Sequence, residues 1–209
     1  MPPKAKFTRQ EIIDAAVDIA RRAPLEAVTA QELASVLGTS TRPVFTYFRT
    51  LEEVRAAVVE EAGKIYGQYV ERGLSMNKGY GMETIRFARE EPNLFRLLFL
   101  RRRDTAEFPP TENHSADIRR AIRETFSLTD AQADELHRHL WIYIHGLCTL
   151  FVTGVNDIPD AEAARLLGEV CRALLIAQRV PRDDRTAIVP GKKVDAGALG
   201  EYIAAPDKK

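Results

Sequence analysis

Along the first half of the chain, apolar residues recur at steps of three and four, the period of an amphipathic helix. Ile12, Ala16, Ile19, Ala20 and Ala23 share one face of a helix predicted from Thr8 to about Ala23, and Pro24 ends it. A second helix is predicted from Thr29 to Leu37, stopped by Gly38. A third, Thr41 to Tyr47, is short, with Ser40 as its expected cap. Leu51, Val54, Val58, Ile65 and Tyr69 then form one stripe of a longer helix that runs from Thr50 to near Gly73. "GLSMNKGYG" breaks the pattern, and helices follow at about 82–90, 93–103, 115–126, 130–153 and 160–180. No alternating apolar run is flanked by turn residues, so no strand is predicted. The expectation is an all-α chain of about nine helices. A three-helix unit over 1–50 precedes a helical body over 51–180, and a Pro-, Gly- and Lys-rich tail over 181–209 is expected to be loosely ordered.

Three helix starts have the form T-x-x-E: Thr8 with Glu11, Thr29 with Glu32, and Thr50 with Glu53. In such a box the hydroxyl accepts from a first-turn N–H and the carboxylate reaches back to the cap N–H. The segment "TAQELASVLGTSTRPVFTYF" reads as helix-turn-helix, with Gly38-Thr39-Ser40 as the turn. Leu33, Ala34, Val44 and Tyr47 point toward the core. Thr41, Arg42, Thr46 and part of Tyr47 face outward, where hydroxyls and a guanidinium suit base edges in a major groove about 12 Å wide. Thr29 and Ser40 at helix starts and Arg49 just beyond the short helix suit phosphates. Pro43 stiffens this helix. The same spacing also fits an αα-hairpin inside a helical bundle, with the charged face merely solvated.

Charge does not separate the two readings. Lys+Arg and Asp+Glu each number 30, and residues 1–55 hold eight basic against seven acidic side chains. The longest apolar run, residues 140–152, contains His145 and falls short of the ~20 residues that span a bilayer. Cys148 and Cys171, both in apolar helical stretches, fit a reducing cytosol, so a cytoplasmic protein is expected. There is no Gly-rich phosphate loop, no G-x-S-x-G and no metal-spaced His/Glu pair, so neither catalysis, a cofactor nor a metal is expected. His137 and His145 lie two turns apart, roughly 12 Å, too far for one ion.

The helix predicted at 130–153 is apolar on two faces. Leu136, Leu140, Tyr143, Leu147 and Leu150 form one stripe; His137, Trp141, His145 and Cys148 form the other. One face needs its own subunit, the other another cover. Ala163, Leu167, Val170, Leu174 and Ala177 of the last helix offer a similar stripe, so two helices from each of two chains can make a four-helix interface. A single thick core helix in a monomer is the other solution.

"FTRQEIIDAAVDIA…VTAQELASVLGTSTRPVFTYFRTLEEVRAAV", about residues 7–58, resembles the N-terminal domain of the tetracycline-repressor (TetR) family of bacterial transcriptional regulators. "WIYIHGL" resembles a branch of that family with Trp-x-x-x-His-Gly in its penultimate helix. The resemblance implies a homodimer of nine-helix subunits that represses genes from a palindromic DNA operator and is released by a small molecule. It implies a ligand site near Phe95, Phe99, Trp141 and His145, and no membrane association. An architectural DNA-binding protein without a ligand is the alternative. Two positions depart from the family: Phe45 stands where a Tyr, and Leu51 where a Lys, often touches phosphate. Tyr47 and Arg49 are the substitutes at hand.

Overall fold

The computed structural model describes residues 7–75, 79–101 and 112–178. Among these there are nine helices and no strand: α1 Arg9–Arg22, α2 Ala30–Val36, α3 Val44–Tyr47, α4 Leu51–Ser75, α5 Tyr80–Glu90, α6 Pro92–Phe95, α7 Glu112–Phe126, α8 Asp130–Thr153 and α9 Asp160–Ala177. The tail over 181–209 lies outside the described residues.

Local chemistry sets most of the boundaries. Thr8 closes a full capping box: its Oγ1 accepts from the Glu11 N–H at 3.2 Å, and its own N–H donates to Glu11 Oε2 at 2.6 Å. Thr129 and Gln132 do the same at α8. The box at α4 is only half formed. Thr50 Oγ1 accepts from the Glu53 N–H, but the Glu53 carboxylate takes the Arg49 N–H at 2.7 Å instead. At the end of α2, Gly38 sits at φ 59°. There the Thr39 N–H reaches Ala34 O and the Gly38 N–H reaches Ser35 O, the double bond pattern that satisfies orphan carbonyls.

The third helix is shorter than its sequence suggests. Thr41 to Pro43 form a turn and α3 begins at Val44, with no side-chain cap. Ser40 therefore does not cap a helix. Had the helix begun at Thr41, the group to be capped three residues on would be the N–H of Pro43, which proline lacks. Proline also disfavours the helical region for Arg42 before it. A second correction follows from the late start. Tyr47 does not return to the core but is 40% exposed, and Phe48, on extended backbone, is 2% exposed and fills that place beside Val44.

Packing is continuous from α1 to α9. Ile12, Ala16, Val28, Leu33, Val44, Phe48, Val54 and Val58 bury the inner faces of the N-terminal helices. Phe87, Phe95, Leu98, Leu136 and Ile144 lie at the centre of the body. Glycines set two close approaches. A Cβ on Gly67 of α4 would lie 2.5 Å from His114 Nε2 of α7, and one on Gly81 of α5 would lie 2.7 Å from Leu167 of α9. At roughly 1.5 Å per residue, α4 is about 37 Å long and joins both ends of the fold. It is held at its start by Arg55, whose guanidinium donates to Val28 O and Glu26 O.

Candidate nucleic-acid interface and aromatic cluster

The helix-turn-helix presents two kinds of surface. Leu33, Val44 and Phe48 are buried beneath it. Ser40, Arg42, Thr46, Tyr47 and Arg49 are exposed on or beside α3, and Thr29, Thr41 and Pro43 are half-buried. Thr46 Oγ1 lies 3.5 Å from Arg42 O, at the limit of a hydrogen bond, so its hydroxyl can turn outward. Thr29 Oγ1 already accepts from the Glu32 N–H, which leaves other first-turn N–H groups of α2 free to face an anion. The sequence reasoning did not anticipate an apolar component here. Phe45, between Arg42 and Thr46 in the chain, is 47% exposed, and Val36 at the end of α2 is 40% exposed. Phe45, seen in the sequence only as a missing hydroxyl, gives this face a flat apolar surface fit for a thymine methyl.

In the body, the four residues singled out around the penultimate helix meet. The His145 ring lies 4.0 Å from Trp141, 4.8 Å from Phe99 and 5.9 Å from Phe95, centroid to centroid, and Phe95 and Phe99 are 4.8 Å apart. Tyr66 extends the cluster from α4, edge-on to Phe99 at 5.2 Å and to Phe87 at 5.3 Å. Such offset and edge-to-face pairs are the favoured geometries of aromatic rings. Phe95 is fully buried, whereas Trp141 is 40% exposed. The segment Arg96–Leu100 winds as a π-turn, an uncommon conformation, directly after α6. His145 Nδ1 lies 2.8 Å from Trp141 O, and burial lowers its pKa.

A link between α1 and α6 had no sequence signal, because its partners lie some seventy positions apart. Arg21 Nε sits 3.1 and 3.0 Å from the two Glu91 carboxylate oxygens, and Asn93 Nδ2 donates to Arg21 O at 2.8 Å. Asn93 precedes Phe95 by two residues, so one short helix touches both the N-terminal unit and the aromatic cluster.

The two stripes on α8 are sorted differently from expectation. Leu136, Leu140, Leu147 and also Cys148 are buried within the subunit. The face left outside carries Trp141, Ile142 (58% exposed) and Gly146. On α9 only Ala163 is buried, while Leu167, Val170 and Leu174 are half-buried. Nothing lies within 4 Å of where a Cβ would stand on Gly146 or Gly168. Among the described residues no group of three His, Cys, Asp or Glu side chains is placed to hold a metal ion, and no helix is long and apolar enough to cross a membrane.

Residues 78–174 match the family model described as tetracyclin repressor-like, C-terminal domain. The match bears out the resemblance to the tetracycline-repressor family of transcriptional regulators; it does not single out the Trp-x-x-x-His-Gly branch. No curated protein and no solved structure matches the chain.

Proposed function

For a regulator with a TetR-like C-terminal domain, we propose a homodimeric repressor that binds a palindromic operator and leaves it when a small molecule enters the body. The observation that carries the reading is the division of the helix-turn-helix: Val44 and Phe48 are locked below, while Arg42, Thr46 and Phe45 stand clear above. In this reading residues 1–50 are the DNA-binding head and 51–180 the ligand-binding and dimerisation body. Arg42 takes guanine with two hydrogen bonds, Thr41, Thr46 and Phe45 meet base edges, and Thr29, Ser40, Tyr47 and Arg49 hold the backbone. Pro43 keeps the turn before α3 rigid. Phe95, Phe99, Trp141 and His145 form the effector site.

The dimer follows from the unpartnered face. Ile142 on α8 and the half-buried apolar residues of α9 find cover in the same helices of a second copy, and the small Gly146 lets the backbones approach. Two-fold symmetry then places the recognition helices one helical turn, about 34–36 Å, or a multiple of it apart.

Selection of bound sequences from a random DNA pool tests the function. A near-palindromic motif with fixed half-site spacing is expected, and even recovery of all sequences would leave an architectural binder instead. Sedimentation tests the dimer: Ile142→Glu is expected to give monomers. A wild-type chain that runs as a monomer at micromolar concentration and still binds one undivided site tightly would overturn it.

A further inference from the structure

Resting on the effector-site reading, we propose that the aromatic cluster takes a neutral aromatic ligand that carries an O–H or N–H donor, phenol- or indole-like, and that His145 Nε2 accepts a hydrogen bond from that donor. The orientation of one imidazole carries the argument. Nδ1 is 2.8 Å from Trp141 O. A backbone carbonyl only accepts, so the hydrogen in that contact belongs to Nδ1. In the neutral ring the remaining nitrogen is then bare and can only accept. Nε2 is buried and makes no hydrogen bond among the described residues. A buried acceptor left unpaired costs free energy that a donor recovers.

The surroundings decide the rest of the ligand. Phe95, Phe99 and Trp141 face the imidazole with rings, so the bound molecule is apolar and flat apart from its donor. Burial of the imidazole disfavours its charged form, which removes the cation that a carboxylate would need. Neutral donors are therefore favoured over anionic aromatics. Trp141 is the most exposed of the three aromatic rings, Phe99 is half-buried and Phe95 fully buried, so a ligand reaches His145 from the Trp141 side without unpacking Phe95.

The test compares 2-naphthol, 2-methoxynaphthalene and 2-naphthoate, which share a ring system and differ in the donor. Titrations of the full chain are followed by calorimetry and by nitrogen NMR of labelled histidine. The naphthol is expected to bind about tenfold more tightly than its methyl ether, the difference that one hydrogen bond makes. The naphthoate is expected to bind weakest. The His145 Nε2 resonance is expected to move from that of an unbonded acceptor toward that of a bonded one only with the naphthol. His145→Phe keeps the ring and removes the acceptor, so it is expected to bring naphthol and ether to equal affinity. If ether and naphthol bind the wild type equally, the donor requirement is wrong while an aromatic site stands. If none of the three binds and Trp141 does not respond, the effector site itself is misplaced, and this inference falls with it. Should His145→Phe fail to fold, the wild-type resonance decides: an Nε2 that carries the proton in the free protein overturns the proposal.

Discussion

Cutting the link between α1 and α6 has an effect that can be worked out from its geometry. The Arg21 guanidinium faces both oxygens of Glu91, with Nη2 2.9 Å from Oε1, and Asn93 holds the backbone of the same residue. The Arg21 side chain is 39% and that of Glu91 15% exposed. Solvent screening limits an exposed ion pair to about 0.2–1 kcal/mol, and two-pronged geometry places this one at the upper end, about 1 kcal/mol. The Asn93 bond adds roughly another 1 kcal/mol. A double-mutant cycle of Arg21→Ala and Glu91→Ala, read by urea unfolding with Trp141 fluorescence, is therefore expected to give a coupling energy near 1 kcal/mol. With slopes of about 1–3 kcal/mol/M, each single variant shifts the midpoint by a few tenths of a molar to about one molar. In the proposed switch the same link carries displacement of Phe95 to the head. Removing it is expected to shrink the factor by which a ligand weakens DNA binding, by up to about fivefold. A coupling energy within 0.3 kcal/mol of zero, about the accuracy with which independent sites add, with the ligand effect unchanged, would refute the reasoning.

Other expectations concern separate sites. Arg42→Ala is expected to cost about 1–3 kcal/mol at one base position and relax preference there, whereas Arg49→Ala weakens all sequences alike and lowers the salt slope by about one; an unchanged selected motif in Arg42→Ala would show that the reading face is misassigned. Gly67→Ala drives a methyl to 2.5 Å from His114 Nε2 and is expected to cost about 1–3 kcal/mol, relieved in the double variant with His114→Ala; thermal melts of both variants and of His114→Ala alone check it. Burial lowers the pKa of both His137 and His145 below the ordinary 6.5. Below that value the unfolded chain binds more protons than the folded one, so the stability is complete above about pH 6.5 and falls as the pH drops through the window down to the folded values. Urea midpoints between pH 7 and 5 are expected to decline less in His137→Gln, His145→Phe than in wild type, and parallel curves would remove these residues as the cause.

What the sequence disclosed was what local chemistry decides. The caps at Thr8 and Thr29, the left-handed Gly38 and the stop before Pro24 are all short-range effects, and the helices appear where those residues put them. The meeting of Phe95, Phe99, Trp141 and His145 was expected on family resemblance rather than on spacing alone. The misjudged start of α3 was legible in principle, since Pro43 removes one of the two N–H groups that a cap at Ser40 could hold and disfavours the helical region at Arg42. The exchange of Tyr47 for Phe48 followed from that one error, because a helix that begins three residues late turns a different side chain inward. Arg21 with Glu91, and His114 with Gly67, pair residues far apart in the chain, where no periodicity points. The sorting of the α8 stripes was likewise hidden: both are apolar, and only the placement of α5 and α7 buries Cys148 and leaves Ile142 outside.

Arg89 of α5 decides how the last two helices behave in time. Its guanidinium lies 4.2 Å over the Phe151 ring near the end of α8 and pairs with Asp157, with the Ile158 carbonyl and with Asp160 at the start of α9. The connecting loop packs little of its own: Val155 is 74% exposed and Gly154 turns through φ 72°. Its order is lent by a helix from elsewhere in the chain. The backbone amides that follow α8 therefore exchange their hydrogens when α5 lets go, rather than by fraying alone, and helix and loop open as one cooperative unit. A lysine in place of Arg89 keeps the charge but has no planar fork to stack and bridge at once, so it frees the loop to open on its own.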